Sequence, residues 1–446
     1  MKRVVDNVKK IHLQRVTGYR LKMKDRPIMQ WMAFMVAFWS VIFKPVSMMP
    51  GMLGYLKYLP DGILLVLLIL SLGRKIKLNK SLLLPFGLVI GFFCYTAFIY
   101  LIQYQSVAYF LWGFRNNFRF YIAFFTFVAL LDTKDVDQWF RAMDVLFWIN
   151  TGLSAFQFFF LGVSGDYLGG IFGILGASNA FTLCFQSIVV TRAFLMTFNG
   201  TESFSSCILK CGASLLVAAM AEMKFYFFVV IYLIIGATVL SRFSIKKVTI
   251  LLLSVVAITY TASLVAEWFG FENFFSYEGL IESATRDNYS SRVDINRLSA
   301  IPSLSRILDI NAFEQFFGLG LGNCDTSAFA VCNTPFFRQY QYLHYTWFTS
   351  AMVFLETGYL GLGIYLSFFV SCALFANKCR RKRMGNMLYN QMTLLTAILC
   401  CVLVFYNSSL RIESGYMMYF VLALPFIQRK QETANNHTKG VRPQNV

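Results

Sequence analysis

Long apolar runs recur along this chain, and they constrain its fold more than any other feature. Helical spans are expected at 31–49, 58–73, 82–103, 118–131, 139–161, 175–197, 205–221, 225–241, 247–266, 346–375, 389–406 and 412–428. Most are long enough to cross about 30 Å of hydrocarbon as a helix. An open sheet cannot satisfy its backbone in lipid, so the spans are helical. The expected fold class is all-α, a polytopic membrane protein with about twelve transmembrane helices. Length alone suggests two or three soluble domains. Composition overrules that: 57% of the 446 residues are hydrophobic and 14% are charged, against about 25% charged in an ordinary globular domain.

Charge orders the runs. Residues 1–30 form a basic tail, with nine Lys or Arg among the first 26, suited to anionic lipid. A nucleic-acid partner is not expected of a chain otherwise embedded in lipid. No apolar core precedes residue 31, so the first run reads as a retained span and not a removable signal peptide. With the N-terminus in the cytoplasm, alternate loops collect Arg74, Lys75, Lys77 and Lys80, then Lys134 and Arg141, Arg192, Arg242 with Lys246 and Lys247, and Lys378 to Arg383. That is the positive-inside pattern. It gives helices 1–9 over 31–266, a large extracytoplasmic loop over 267–345, helices 10–12 over 346–428 and a cytoplasmic tail over 429–446.

The loop at 267–345 is the long polar interval in an apolar chain, and it delivers His344 to the mouth of a span that carries Glu356. A histidine near neutral pKa takes a proton from a hydroxyl, or it simply caps an interface. Glu356 lies twelve residues on, about 18 Å along an ideal helix, so it reads as an orienting carboxylate and not as the partner of His344. Cys324 and Cys332 share the loop, and a disulfide between them is one reading if the loop meets an oxidising compartment. The cysteine and histidine spacings match no zinc site, and no cofactor is expected.

Other outer-face residues carry two readings each. Arg115 and Arg119 stand one helical turn apart. They snorkel to the interface, or they clamp a diphosphate, whose oxygens fit the guanidinium fork. The glycine-rich stretch 164–181 marks close helix packing or an irregular segment lining a cavity. Glu222 and Lys224 form a short outer turn or a functional pair. Arg292 and Arg297 in the loop and Arg411 with Glu413 at the last outer turn are further contacts for a polyanionic head group, or simply solvated, and Arg411 and Glu413 also read as a pair.

Two stretches, FFGLGLGN at 316–323 and LHYTWFTSAMVFLETGYLGLGIY at 343–365, resemble the O-antigen polymerase and O-antigen ligase superfamily (Wzy and WaaL type). The shared pattern is a glycine-rich turn in the outer loop, here Gly318, Gly320, Gly322 and Asn323. A histidine-led helix with E-x-G-x-x-G follows, here His344, Glu356, Gly358 and Gly361. The sharp motif covers about 50 residues; the span count and large loop extend the likeness over most of the chain. Tyr345 departs from a common pattern of Asn after the histidine, and AEMK with Lys224 stands where many members carry an arginine motif.

The resemblance implies a metal-independent, membrane-embedded glycosyltransferase of the GT-C kind. It would transfer an undecaprenyl-diphosphate-linked glycan to a sugar hydroxyl of another lipid-linked repeat unit. Ligation to lipid A–core and polysaccharide flipping are the alternatives. His344 and Arg292 are then the expected catalytic residues. Arg115, Arg119, Lys224, Arg297, Arg411 and Glu356 are expected around diphosphate and sugar. Partners would be the lipid-linked oligosaccharide and the flippase and chain-length regulator of the same pathway.

Overall fold

The most enclosed element is the one that closes the chain. Ser414 to Ile427 are buried without exception, although Arg429 and Lys430 follow after one residue. This computed structural model describes residues 26–46, 52–72, 80–241, 295–327 and 329–438. Eight helices come first: α1 (Arg26–Val46), α2 (Leu59–Leu72), α3 (Leu83–Gln103), α4 (Val107–Leu130), α5 (Thr133–Leu161), α6 (Ser178–Phe198), α7 (Phe204–Met220) and α8 (Lys224–Leu240). Three short ones follow, α9 (Ala300–Ile307), α10 (Ala312–Phe317) and α11 (Pro335–Tyr340). Then come α12 (Thr349–Arg381), α13 (Met387–Tyr406) and α14 (Gly415–Thr438). Starts are set locally: Asp132 and Asp135 form a reciprocal capping box on α5, Ser203 caps α7 and Asn386 caps α13.

The protein is an all-α, multi-pass membrane protein. Among the described residues, six helices are long and apolar enough to cross a membrane: Pro27–Pro45 within α1, then α3, α5, α6, α12 and α13. That is fewer than the twelve expected. Eleven of the expected intervals fall mainly on described residues, and each is helical; 247–266 lies outside them. The shortfall has two causes. Helices α2, α7 and α8 have 14, 17 and 17 residues. Helix α4 carries Arg115 and Arg119, which packing inside the bundle tolerates and lipid does not, and the apolar part of α14 gives way to Arg429, Lys430 and Glu432 before it is long enough. Helix α4 also begins eleven residues before the expected 118, because the polar run Arg115–Asn116–Asn117 is wrapped by protein.

Helix α12 packs along α13, and α14 lies against α4 and α13. Outward positions such as Leu101, Phe159, Phe160 and Leu374 stay exposed, as an apolar solvent demands. The chain alternates between two ends of this bundle. At one end Tyr389 donates to Asp137 (2.6 Å), Asn199 to Gln391 (3.1 Å) and Lys430 to the Leu131 carbonyl (2.7 Å). At the other end lie 57–61, 112–119, 325–327 and 407–414.

Helix α12 is broken at Gly358, whose φ of +64° suits glycine. A side chain there would strike the Phe316 carbonyl. The freed carbonyls find outside donors: Leu319 N–H to Leu355 (2.8 Å), Gly320 N–H to Glu356 (3.1 Å) and the Tyr95 hydroxyl to Thr357 (2.7 Å). The glycine-rich turn is thereby docked on the break. Its other side meets α4 so closely that the Gly322 and Gly113 backbones touch. A second small core, including Leu304, Cys324, Leu343, Tyr345 and Leu355, lies beneath this loop. Cys324 and Cys332 are free thiols, so the disulfide reading fails. Cys324 is wholly enclosed in that core, where burial pushes its thiol well above its ordinary range.

Of the 164–181 stretch, residues 164–177 are irregular backbone and short 3-10 turns packed against α5, and 178–181 begin α6. Gln157 both donates to Gly170 O (2.9 Å) and accepts from Gly170 N–H (2.8 Å), and Asn150 accepts from Ile171 N–H (3.1 Å). This side-chain service is what non-helical backbone at membrane depth requires.

Candidate functional site

A cavity of about 460 Å³ opens at the end of the bundle formed by 57–61, 112–119, 325–327 and 407–414. Its wall includes Lys57, Tyr58, Trp112, Arg115, Asn116 and Arg119, with Asp325, Thr326, Ser327 and Thr346, and with Ser408, Arg411 and Glu413 from the final turn.

Helix α4 supplies the first layer through the run RNNFR. Arg115 donates through Nε and a terminal nitrogen to Asp61 Oδ2 (2.8 and 2.6 Å) and through the other to Asn116 Oδ1 (2.6 Å). Asn116 donates to Asp325 Oδ2 (2.7 Å). Arg119 donates to Glu413 Oε1 (3.1 Å) and to the Arg411 carbonyl (2.8 Å), and lies 3.9 Å from Asp61. Asn117 donates to Glu356 Oε2 (3.0 Å).

The final turn supplies the second layer. Arg411 and Glu413 do not pair with each other. Arg411 bridges Asp325 Oδ2 (2.9 Å) and Glu356 Oε2 (3.3 Å). Glu356 is completed by Gly322 N–H on Oε1 (3.2 Å). Burial pushes the Glu413 carboxyl up; Arg119 beside it, a backbone hydrogen bond and the nearby Arg115 together outweigh that and hold it below the usual carboxylate range.

Four cations, Lys57, Arg115, Arg119 and Arg411, thus face four carboxylates, Asp61, Asp325, Glu356 and Glu413. The carboxylates fix the guanidinium groups in place before any ligand arrives. Some donors stay uncommitted. Lys57 lies over the Tyr58 ring at 5.0 Å and has no carboxylate partner among the described residues. Arg119 Nε and the Tyr58 hydroxyl are buried without a hydrogen-bond partner among the described residues. Aromatic rings finish one wall: the Arg115 guanidinium sits 4.9 Å from the Tyr58 ring and 5.0 Å from Trp112, and Phe329 stacks on Tyr58. Such a wall suits the apolar face of a sugar, and the cations suit phosphate oxygens.

The expected site residues divide. Arg115, Arg119 and Arg411 line the cavity, and Glu356 stands behind Arg411. The other described candidates are not among its lining residues. His344 occupies a left-handed position between two short turns and stacks on Trp347 (4.2 Å between centroids); Thr346, two residues on, reaches the wall. The Arg297 guanidinium lies 4.8 Å from the Tyr406 ring, which stacks on Phe225 beside Lys224. Arg292 lies outside the described residues. Sequence reasoning passed over Asp61, Asn116, Asn117 and Asp325. For the two asparagines a signal existed, since paired amides between arginines inside an apolar run announce a buried polar network. Among the described residues no group of three or more His, Cys, Asp or Glu is arranged to hold a metal ion. No protein-family model matches the chain, and it has no significant match among curated proteins.

Proposed function

We propose that this protein is a polysaccharide repeat-unit polymerase of the bacterial cytoplasmic (inner) membrane, a metal-independent glycosyltransferase of the GT-C kind. It transfers an undecaprenyl-diphosphate-linked glycan to a sugar hydroxyl of another lipid-linked repeat unit. One observation carries the reading: three oriented arginines and Lys57 surround a cavity at one end of a membrane bundle, beside an aromatic wall. A diphosphate is already a good leaving group, so catalysis chiefly needs fixed cations around its developing charge. The glycine turn and the E-x-G-x-x-G helix of the resembling superfamily sit against this cavity, which fits the same reading. The positive-inside pattern read from the sequence, with both termini cytoplasmic, would put the cavity on the extracytoplasmic side, where finished lipid-linked units are delivered.

The test is reconstitution. Purified protein in liposomes receives lipid-linked repeat units and nothing else. A growing lipid-linked ladder is the expected result. Transfer that appears only after lipid A–core is added makes the protein a ligase. Movement of the units across the bilayer, with no new bond formed, makes it a transporter.

A further inference from the structure

We infer that Asp325 is the base that takes the proton from the acceptor hydroxyl, in place of His344; this rests on the polymerase reading above. The acceptor and leaving oxygens share one carbon in the transition state, so the base must stand in the same cavity as the cations. Among the described residues no histidine lines that cavity, and the lining carboxylates are Asp325 and Glu413. Glu413 is committed to Arg119 (3.1 Å). Asp325 also pairs with a cation, Arg411 (2.9 Å), but that cation is shared with Glu356, and the wall also carries neutral groups that recognise hydroxyls, Asn116, Thr326, Ser327 and Thr346.

The Asp325 carboxylate is held but not used up. Oδ2 accepts from Asn116 and Arg411, while Oδ1 accepts from the Thr326 N–H (2.9 Å). A carboxylate oxygen has two lone pairs, which leaves Oδ1 one direction for a hydroxyl. Arg411 is shared with Glu356, so the cation does not cancel the charge on Asp325. The loop is pinned on both sides: the Tyr345 hydroxyl donates to Cys324 O (2.7 Å) and Thr334 Oγ1 to Asp325 O (3.3 Å). Tyr345, the residue that replaces asparagine after the histidine, therefore positions the base.

The step balances. The acceptor O–H proton passes to Asp325 Oδ1, and the oxygen lone pair bonds to the anomeric carbon. The bond from that carbon to the diphosphate oxygen breaks, and its electron pair leaves with the diphosphate, whose charge Lys57, Arg115 and Arg119 offset. Asp325 then returns the proton to water. The charged and titratable groups around it are Arg411 on the final turn, Glu356 on α12, Cys324 and Tyr345 on its own loop, and Arg115 through Asn116.

The experiment compares full-length wild type, D325N, D325A and H344Q. Each is given lipid-linked repeat units extracted from producing membranes, and each is melted with and without farnesyl diphosphate. We expect D325N to slow ladder growth by about 100-fold or more, the usual scale of general-base loss, while keeping the thermal shift from farnesyl diphosphate. H344Q stays within a few-fold of wild type. Added formate restores part of the D325A rate, and the acidic limb of the wild-type pH–rate profile is missing from D325N. D325N within a few-fold of wild type overturns the proposal, as does loss of the ladder in H344Q with the farnesyl diphosphate shift intact. If one Asp325 variant fails to fold, the other, read against H344Q, still decides. A wild type that builds no ladder overturns the polymerase reading and this proposal together, whereas a ladder in D325N overturns this proposal alone.

Discussion

Two clusters of buried and half-buried charge sit toward opposite ends of the bundle, and they differ in what they enclose. In one, Lys210 bridges Asp144 (3.2 Å) and Glu202 (2.8 Å), Arg192 pairs with the same Asp144, and the Arg192 guanidinium covers the Phe140 ring. Both cations answer to carboxylates, and the group ties α5, α6 and α7 together. In the other, Asp61, Arg115, Arg119, Asp325, Glu356, Arg411 and Glu413 surround a cavity, with Lys57 and one edge of Arg119 left for a visitor. Burying ions is costly in either place, and well-packed apolar residues often serve stability as well. The first cluster is therefore read as specifying how three helices meet. The second is read as holding charges where an anion will arrive.

The sharpest way to break this contrast is Arg411→Met. It strands Asp325 and Glu356 together, so unfolding in detergent should become easier by ~3–5 kcal/mol, and no ladder should form. A variant as stable as wild type would mean that the triad is not held as described. Next is Lys210→Met, which strands Glu202 but leaves Arg192 on Asp144. We expect a loss of ~2–3 kcal/mol with normal activity per folded molecule, read from ladder growth normalised to a monodisperse fraction. Equal loss of activity in both variants would erase the distinction between the clusters. Trp112→Ala should cost only ~1 kcal/mol yet slow ladder growth several-fold; an unchanged rate would remove the aromatic wall from the site. The smallest effect concerns pH. The folded pKa of Glu413 is depressed, so its contribution is present above the unfolded value of about 4.3 and is lost as pH falls through the lower folded value. The gap between wild type and Glu413→Gln melts should stay level from about pH 8 to 5 and narrow in acid.

Apolar length made the helices legible, because hydrocarbon thickness and the backbone's need for partners leave one solution for such runs. It misjudged α4 because Arg115, Asn116 and Asn117 look like loop when their partners are hidden. Those partners, Asp61, Asp325 and Glu356, lie 54, 209 and 239 residues away in sequence, beyond any local pattern. The carboxylate inside the Glu356 run is visible as an oddity, but its cation is not: the sequence leaves Arg411 open as a partner of Glu413 or a contact for the head group. Asp325 offered no periodicity or motif; only the docking of the glycine turn on α12 and α4 brings it beside Arg411.

The break at Gly358 has a consequence for how the chain is made. Residues 359–381 alone extend ~34 Å as a helix, enough to satisfy the insertion machinery without the nine residues before the break. Biogenesis of this span is thus separate from the half-helix that carries Glu356. Changes on that short half can retune the site while the protein still enters the membrane in the same orientation.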